Sequence, residues 1–399
     1  MKFNKLVLST AALVLFSHTA YSVPFTFEGR SLGMGGVAVA TADLATAPWA
    51  NPAMLTNQET SDDFSLLIGI GVFGRDHEDL ITDIEDFQDA DDERQAATTP
   101  AENQAALADM SAIIRNIESK NVAADVSGVL AMGIAFESFA MAVSVRADAI
   151  AAGTVDELSC QLGEPGCDIV TFENELTSTQ KNILTLEGVL ATEVGISFAK
   201  AFTVYDRKLS VGIKPKFVDV QAINYQESIL TIEDADDITD SDNKSDIGTY
   251  TTIDLGFSYD ITDSYRLGLN VTNLIPKSFK VGVQTLNFDT GIRLGAAYHS
   301  EFVTVGIDYD LLENKPLLSN PRFGDLTTQY LAIGAEFNAF EYVQLRIGAA
   351  TNTASGIPGA ASDVTYTAGL GLWLGFNLDI AATYSEQALG AFVQTGFRF

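Results

Sequence analysis

From Asp63 onward the chain alternates apolar and polar residues with a period of two, the mark of strands whose two faces meet different surroundings. In "FVTVGIDYDLL", Val303, Val305, Ile307, Tyr309 and Leu311 share one face, while Thr304, Gly306, Asp308 and Asp310 share the other. In "TTIDLGFSYDI", Ile253, Leu255, Phe257, Tyr259 and Ile261 oppose Thr252, Asp254, Gly256, Ser258 and Asp260. The pattern places fourteen strands, near 63–74, 126–137, 139–149, 184–199, 207–224, 250–261, 265–273, 289–299, 303–311, 328–338, 342–350, 364–375, 376–385 and 391–399. Alternation by itself suits a soluble sandwich as well as a membrane barrel. The connections decide: the odd-numbered ones are long and mostly polar, and the even-numbered ones are turns such as Glu137–Ser138 and Ser300–Glu301. Short turns on one side and long loops on the other predict an all-β fold, a 14-stranded antiparallel transmembrane β-barrel.

The N-terminus sets the compartment. Lys2 and Lys5 precede the apolar run Leu6 to Phe16 and a small-residue stretch ending at Ser22, a secretory signal peptide over residues 1–22. No later run reaches the 18 apolar residues of a membrane helix, so strands are left to make any crossing. Acids outnumber bases by 53 to 23, which excludes a nucleic-acid role because a phosphate backbone needs a cationic footprint. The charge is localised: Arg75–Lys120, Ile150–Ile183 and Glu227–Thr249 carry −21 of the formal −30, and all three lie on the long-loop side. Cys160 and Cys167, spaced C-x6-C in the second stretch, predict one local disulfide in an oxidising compartment.

Strand parity also predicts what the lumen holds. Arg146, Asp148, Glu193, Lys214, Lys216, Asp254, Arg266, Arg293, Asp308, Asp310, Glu336, Asp379 and Arg398 share the inward face, and their mixed signs suit a salt-bridged interior that holds a plug more than a charged solute path. Gly256, Gly268, Gly295, Gly306, Gly334 and Gly369 leave room inside, and Pro215 predicts a kink or bulge. Tyr309, Tyr366 and Tyr384 near the long loops, with Tyr259, Tyr265 and Tyr298 near the turns, predict two aromatic girdles. In the first long loop, Leu107, Met110, Ile114 and Ile117 have helical spacing, read as a short helix on the barrel rim.

Candidate chemistry is sparse. After the signal peptide the histidines are His77, in the acidic first loop beside Asp76 and Asp79, and His299, on the inward face. An exposed loop histidine is the commoner reading of His77 than an Asp/His protease pair, and His299 faces away from the lipid side that a Ser/His lipase needs, so no enzyme, catalytic residue or cofactor is predicted. The run "EDADDITDSDNKSD", Glu233 to Asp246, lacks the glycine and final glutamate of an EF-hand loop and reads as solvated charge, with no metal site. Gly33-Met34-Gly35-Gly36-Val37-Ala38 fits the spacing of a dinucleotide turn, but Pro24 and the polar Glu28-Gly29-Arg30 precede it and prolines at 48 and 52 follow it. Close backbone approach of Gly33, Gly35 and Gly36 to a barrel wall is the better reading.

"GRSLGMGG" followed by "ANPA" and fourteen strands ending in phenylalanine resembles the FadL/TodX-type outer-membrane transporters, nearest to their conjugal-transfer TraF-like branch. The resemblance implies a hatch of about residues 23–62 inside a barrel of residues 63–399, with Asn51, Pro52 and Ala53 matching the family's NPA turn. It implies a hydrophobic small molecule captured among the loops and released through the wall once the hatch shifts, in the outer membrane of a Gram-negative bacterium. Outer-membrane lipid and lipopolysaccharide would surround the barrel. Phe397 and Phe399 resemble the terminal signal read by the barrel-assembly machinery. The alternative carried by the TraF-like branch is a structural or assembly component of a conjugation or envelope apparatus. The loops here are more acidic than a capture groove for fatty acid suggests.

Overall fold

The computed structural model describes residues 28–57, 63–77, 80–117, 120–155, 158, 160–176, 183–230, 244–281, 284–315, 318–319, 327–339, 342–355, 364–385 and 388–399. The predicted signal peptide and Glu233 to Asn243 of the acidic run lie outside them.

Fourteen strands close into one antiparallel barrel. In chain order the strands are β1 (Phe64–His77), β2 (Asn121–Ala135), β3 (Ala140–Val155), β4 (Ile183–Val204), β5 (Arg207–Ser228), β6 (Lys244–Asp260), β7 (Tyr265–Thr272), β8 (Lys277–Val281), β9 (Gln284–Phe288), β10 (Gly291–His299), β11 (Val303–Asp310), β12 (Leu318–Ser319), β13 (Tyr330–Ala339), β14 (Val343–Asn352), β15 (Thr365–Trp373), β16 (Asn377–Tyr384) and β17 (Leu389–Arg398). β8, β9 and β12 form a separate small sheet, and the other fourteen pair with their neighbours in sequence. β17 closes the barrel on β1, from Gly74 opposite Leu389 to Ser65 opposite Arg398.

The faces are inverted relative to a soluble protein. On β11 Thr304, Gly306, Asp308 and Asp310 are buried, while Val305 and Ile307 are 39% and 44% exposed. Only a surround of hydrocarbon makes that arrangement stable, since it keeps the polar residues inside and the apolar ones outside. A tilted strand crosses the bilayer in about 9–11 residues. β4 and β5, at 22 residues each, therefore project beyond it.

The projection becomes a wall for the long loops. Two hatch helices, α1 (Gly29–Gly33) and α2 (Ala47–Ala50), lie inside the barrel, and three others form a cap: α3 (Leu80–Ala96), α4 (Pro100–Ile117) and α5 (Ile169–Leu176). Phe87, Leu107, Met110, Ile114 and Phe172 are fully buried and pack with Leu184 and Leu186 of β4 and Tyr225 of β5. The predicted rim helix is thus α4, but its apolar side meets α3 and the projecting strands in a core of their own. α3 escapes a periodicity reading because Leu80, Phe87 and Ala90 are its few buried apolar residues among acids. Thr98 and Thr99 cap the hairpin between α3 and α4: Glu102 accepts from the backbone N–H groups of both, which holds its carboxyl below the usual range.

The Cys160–Cys167 disulfide forms as the spacing predicts. Its loop is tied to α4, with Leu162 N–H donating to Ser111 Oγ at 3.1 Å and Arg115 Nε to Gln161 Oε1 at 2.9 Å. Closing so short a loop contributes about 2 to 3 kcal/mol, confined to the cap. Cys160→Ser with Cys167→Ser should therefore speed proteolysis of the cap and leave the heat-modifiable gel mobility of the barrel unchanged.

β8, β9 and β12 lie where the alternation predicts loop. Leu286 and Phe288 pack on Val189, Val218, Val220 and Tyr250, the inward face of β4 to β6, with the Phe288 and Tyr250 rings 5.0 Å apart. β1 also runs three residues further than its alternation indicates, so His77 ends a strand and does not lie in a loop.

Candidate functional site

The chain from Glu28 to Asn57 lies inside the barrel and is almost entirely buried. Glu28 starts α1 by accepting from Arg30 N–H and Ser31 N–H, both at 2.7 Å, a side-chain N-cap. Gly35 (φ +72°) and Gly36 (φ +93°) then turn the chain through conformations that a side chain resists. Asp43 accepts from Ala45 N–H, Thr46 N–H and the Thr46 hydroxyl, which fixes the turn into α2. Burial works to raise the Asp43 carboxyl, but Arg30 and Arg398 beside it hold it below the usual range. For Glu28 burial prevails and pushes the carboxyl up.

The NPA turn is a staple. Fully buried Asn51 donates from Nδ2 to Val39 O at 2.8 Å and to Phe257 O of β6 at 3.0 Å, while its Oδ1 accepts from Ala53 N–H at 3.1 Å. One side chain thus ties two hatch segments to the wall, and Pro52, with its fixed φ, opens the 3-10 turn Pro52–Thr56. At about 0.5–1.5 kcal/mol for each hydrogen bond, Asn51→Ala should cost roughly 2–4 kcal/mol, read as faster amide exchange at Ala53 and Met54.

The hatch backbone rests directly on wall backbone along a seam of glycines. Gly212 faces Gly256, Gly268 faces Gly295, and Gly306, Gly334 and Gly348 follow one another across β11, β13 and β14. A Cβ on Gly334 would lie 2.1 Å from Met34 O, one on Gly348 2.2 Å from Gly35 N, and one on Gly212 2.3 Å from Ala53 N. The same holds from the hatch side: a Cβ on Gly35 would meet Ala349 N at 2.6 Å, and one on Gly33 would meet the Cα of Gly369 at 3.0 Å. Gly36, at φ +93°, serves the turn.

Buried charges latch the hatch at one edge. Arg30 forks onto both oxygens of Glu336 at 2.9 Å, Arg346 shares Glu336 at 2.7 Å and reaches Asp379 at 2.5 Å, and Gln394 donates to Asp379 at 3.1 Å. Gln394 then accepts from Gly29 N–H at 2.7 Å, which closes the circuit back onto the hatch. Asp308 makes a second tie by accepting from Ala38 N–H and Val39 N–H at 2.8 and 2.9 Å. Thr367 makes a third, taking Gly35 N–H and donating to Gly33 O.

The sequence profile of the family described as "F plasmid transfer operon, TraF, protein" matches residues 48–310. The chain belongs to that family. Among solved structures it is similar to the P. putida toluene transporter TodX, at 12% identity over 94% of this chain and 99% of that one, with a TM-score of 0.55. A Pseudomonas aeruginosa FadL homologue aligns at 10% identity over 95% and 98% of the two chains, with a TM-score of 0.51. A CymD monoaromatic hydrocarbon channel aligns at 13% over 94% and 97%, with a TM-score of 0.50. At these identities the likeness shows the fold, that of FadL/TodX barrels. No curated protein matches the sequence.

Among the thirteen charges that parity places in the lumen of this TraF-family barrel, Glu336 and Asp308 hydrogen-bond to the hatch. Others brace the wall: Arg293 on Asp310 at 2.6 Å, Arg266 on Asp260 at 2.6 Å, Arg146 on Asp148 at 2.5 Å, and Glu193 on Lys214 and Lys216 at 2.5 and 2.9 Å. Arg30 was missed as an anchor, although a single cation in a glycine-rich, mostly apolar segment is a visible signal. Arg346, Thr367 and Gln394 were missed because parity gives a face and not a partner. Phe397 and Phe399 lie on the outer face, with Phe399 stacked on Phe64 at 4.8 Å. On the short-turn side of the latch, a cavity of about 1250 Å³ is lined by Arg30, Lys208, Arg266, His299, Glu336 and Arg346 among others.

Proposed function

We propose that this protein is a hatch-gated outer-membrane barrel that passes a hydrophobic small molecule, exported by the signal peptide at residues 1–22. The observation that carries the reading is how the hatch is seated: backbone on backbone along glycines, with Ala47 and Ala50 on Ala135, Ala140, Ala142 and Ala199, and held by a few polar ties. A barrier seated mainly on glycine and alanine shifts as a unit once those ties are exchanged.

Leu32 of the hatch, with Trp49 against it, packs on Leu67, Phe73, Val129 and Phe392 of the wall, a buried apolar seam that an apolar cargo could line once the hatch shifts. The wall also has a weak place. Pairing of β4 with β5 runs to Gly195 opposite Lys216 and resumes at Phe198 opposite Ile213, because Pro215 has no N–H to donate. Ile196 and Ile213 face outward at the gap, which supports release into lipid. TodX is named a toluene transporter and CymD a monoaromatic hydrocarbon channel, so toluene is the first cargo to try. Deleting residues 51–53 should raise toluene entry into proteoliposomes severalfold; an unchanged rate removes the hatch from the route.

A second reading, an assembly component of a conjugation or envelope apparatus, draws on the family description and on the exposed acids Glu85, Asp86, Asp89 and Asp92 of α3. Crosslinking at α3 in intact cells should then capture a protein partner, and recovery of lipopolysaccharide alone would count against it.

A further inference from the structure

The cavity on the short-turn side contains a lysine that, among the described residues, no carboxylate contacts as an ion pair. Its carboxylates are otherwise engaged: Asp260 by Arg266, Glu336 by Arg30 and Arg346, Asp379 by Arg346, and Asp43 by the turn at Ala45 and Thr46, while Glu301 is exposed to solvent. Lys208 is half-buried, and its ammonium donates to the carbonyl of Thr56 at the end of the hatch. Among the described residues no carboxylate forms an ion pair with it. A carbonyl satisfies one of three ammonium donors and none of the charge. In a chain of net charge −30, a desolvated lysine left unpaired is not background.

Its neighbours add donors. Asp260 follows Tyr259, which pairs with Leu209 beside Lys208; Asp260 in turn pairs with Arg266 across β6 and β7, and Arg266 faces Ala297 of β10, two residues before His299. Lys208, Arg266 and His299 therefore line one arc of the cavity, with Asp260 the carboxylate between them.

We propose that this cavity binds a small oxyanion at Lys208, with Arg266 and His299 beside it: a carboxylate or phosphate group carried by a periplasmic solute. A tetrahedral or planar oxyanion supplies the charge that the Thr56 carbonyl does not. Binding also acts on the hatch. When Lys208 turns to the anion it leaves the Thr56 carbonyl, and Thr56 then keeps its tie to the wall through the bond between Thr56 Oγ1 and Ser210 Oγ, 2.7 Å long. The binding step stands without a moving hatch, whereas the coupling step rests on the hatch reading above.

The test is calorimetric titration of the purified full-length protein in detergent with inorganic phosphate and, separately, with succinate. At least one should bind saturably, and the arm that binds identifies the group. Lys208→Met should weaken binding about tenfold or more. Lys208→Arg should retain it, and Arg207→Ala, which breaks only the ion pair to Asp263, should leave it unchanged. Heat-modifiable gel mobility checks that each variant is folded. Saturation by neither anion, or equal binding by folded Lys208→Met, overturns the site. Amide exchange at Asn57 should quicken on binding; saturable binding with unchanged exchange overturns the coupling, and does so independently of any uptake assay.

Discussion

Replacing Glu336 with alanine is expected to free the hatch while the barrel stays closed. Glu336 takes three charged hydrogen bonds, two from Arg30 of the hatch and one from Arg346 of the wall, and all three residues are buried. Removing one partner of a buried ion pair costs about 3–5 kcal/mol; here Arg346 keeps Asp379, while Arg30 loses its two-bond fork onto the wall. The strands do not depend on this group, since their main-chain ladder is complete on both sides of β13. The strain is relieved where the structure gives most easily, by withdrawal of Arg30 and α1 toward the cavity. A cysteine placed at Ala38 should then react with a soluble maleimide many times faster than in the parent, with gel mobility unchanged. Glu336→Gln, which keeps acceptor capacity and loses the charge, should fall between the two.

The second large effect comes from the glycine seam. In Gly334→Val the new Cβ would sit 2.1 Å from Met34 O and 2.6 Å from Met34 C, both backbone atoms with no flexible end to yield. Overpacking of an ordinary core costs about 1–3 kcal/mol through side-chain adjustment. That route is closed here, so the hatch must leave its seat and the same maleimide readout should rise. Gly128→Val is the control: it faces outward, a Cβ there meets nothing within 4 Å, and the substitution should change neither hatch accessibility nor barrel stability.

How much of this was legible depended on the kind of signal. All fourteen barrel strands were legible because inward and outward faces differ in every one, and period two survives wherever lipid lies on one side. The inward glycines at 256, 268, 295, 306, 334 and 369 were visible as gaps on a polar face. Gly212 and Gly348 do the same work without having been marked. The helices and small sheet of the long loops were harder, since α3, though 17 residues long, buries only Leu80, Phe87 and Ala90 of its apolar residues among acids. β8 and β9 owe their form to Leu286 and Phe288 covering the top of β4 to β6, a tertiary contact with no local trace. Within the site, residue type and face identified Glu336 and Asp308 as inward charges. Which of the inward charges meet the hatch follows from where the hatch runs, and that path is set by Asn51 and by the glycine seam together.

The most direct measurement pins the hatch in place. Thr56 and Ser210 touch through their hydroxyls, so Thr56→Cys with Ser210→Cys can form a disulfide from hatch to wall. In a background with Cys160 and Cys167 changed to serine, this is the one bond that a reductant can break. Oxidised protein in liposomes should take up toluene at the rate of protein-free vesicles, and reductant should restore the parent rate. Equal uptake before and after reduction would contradict the claim that the hatch is the moving barrier of this barrel.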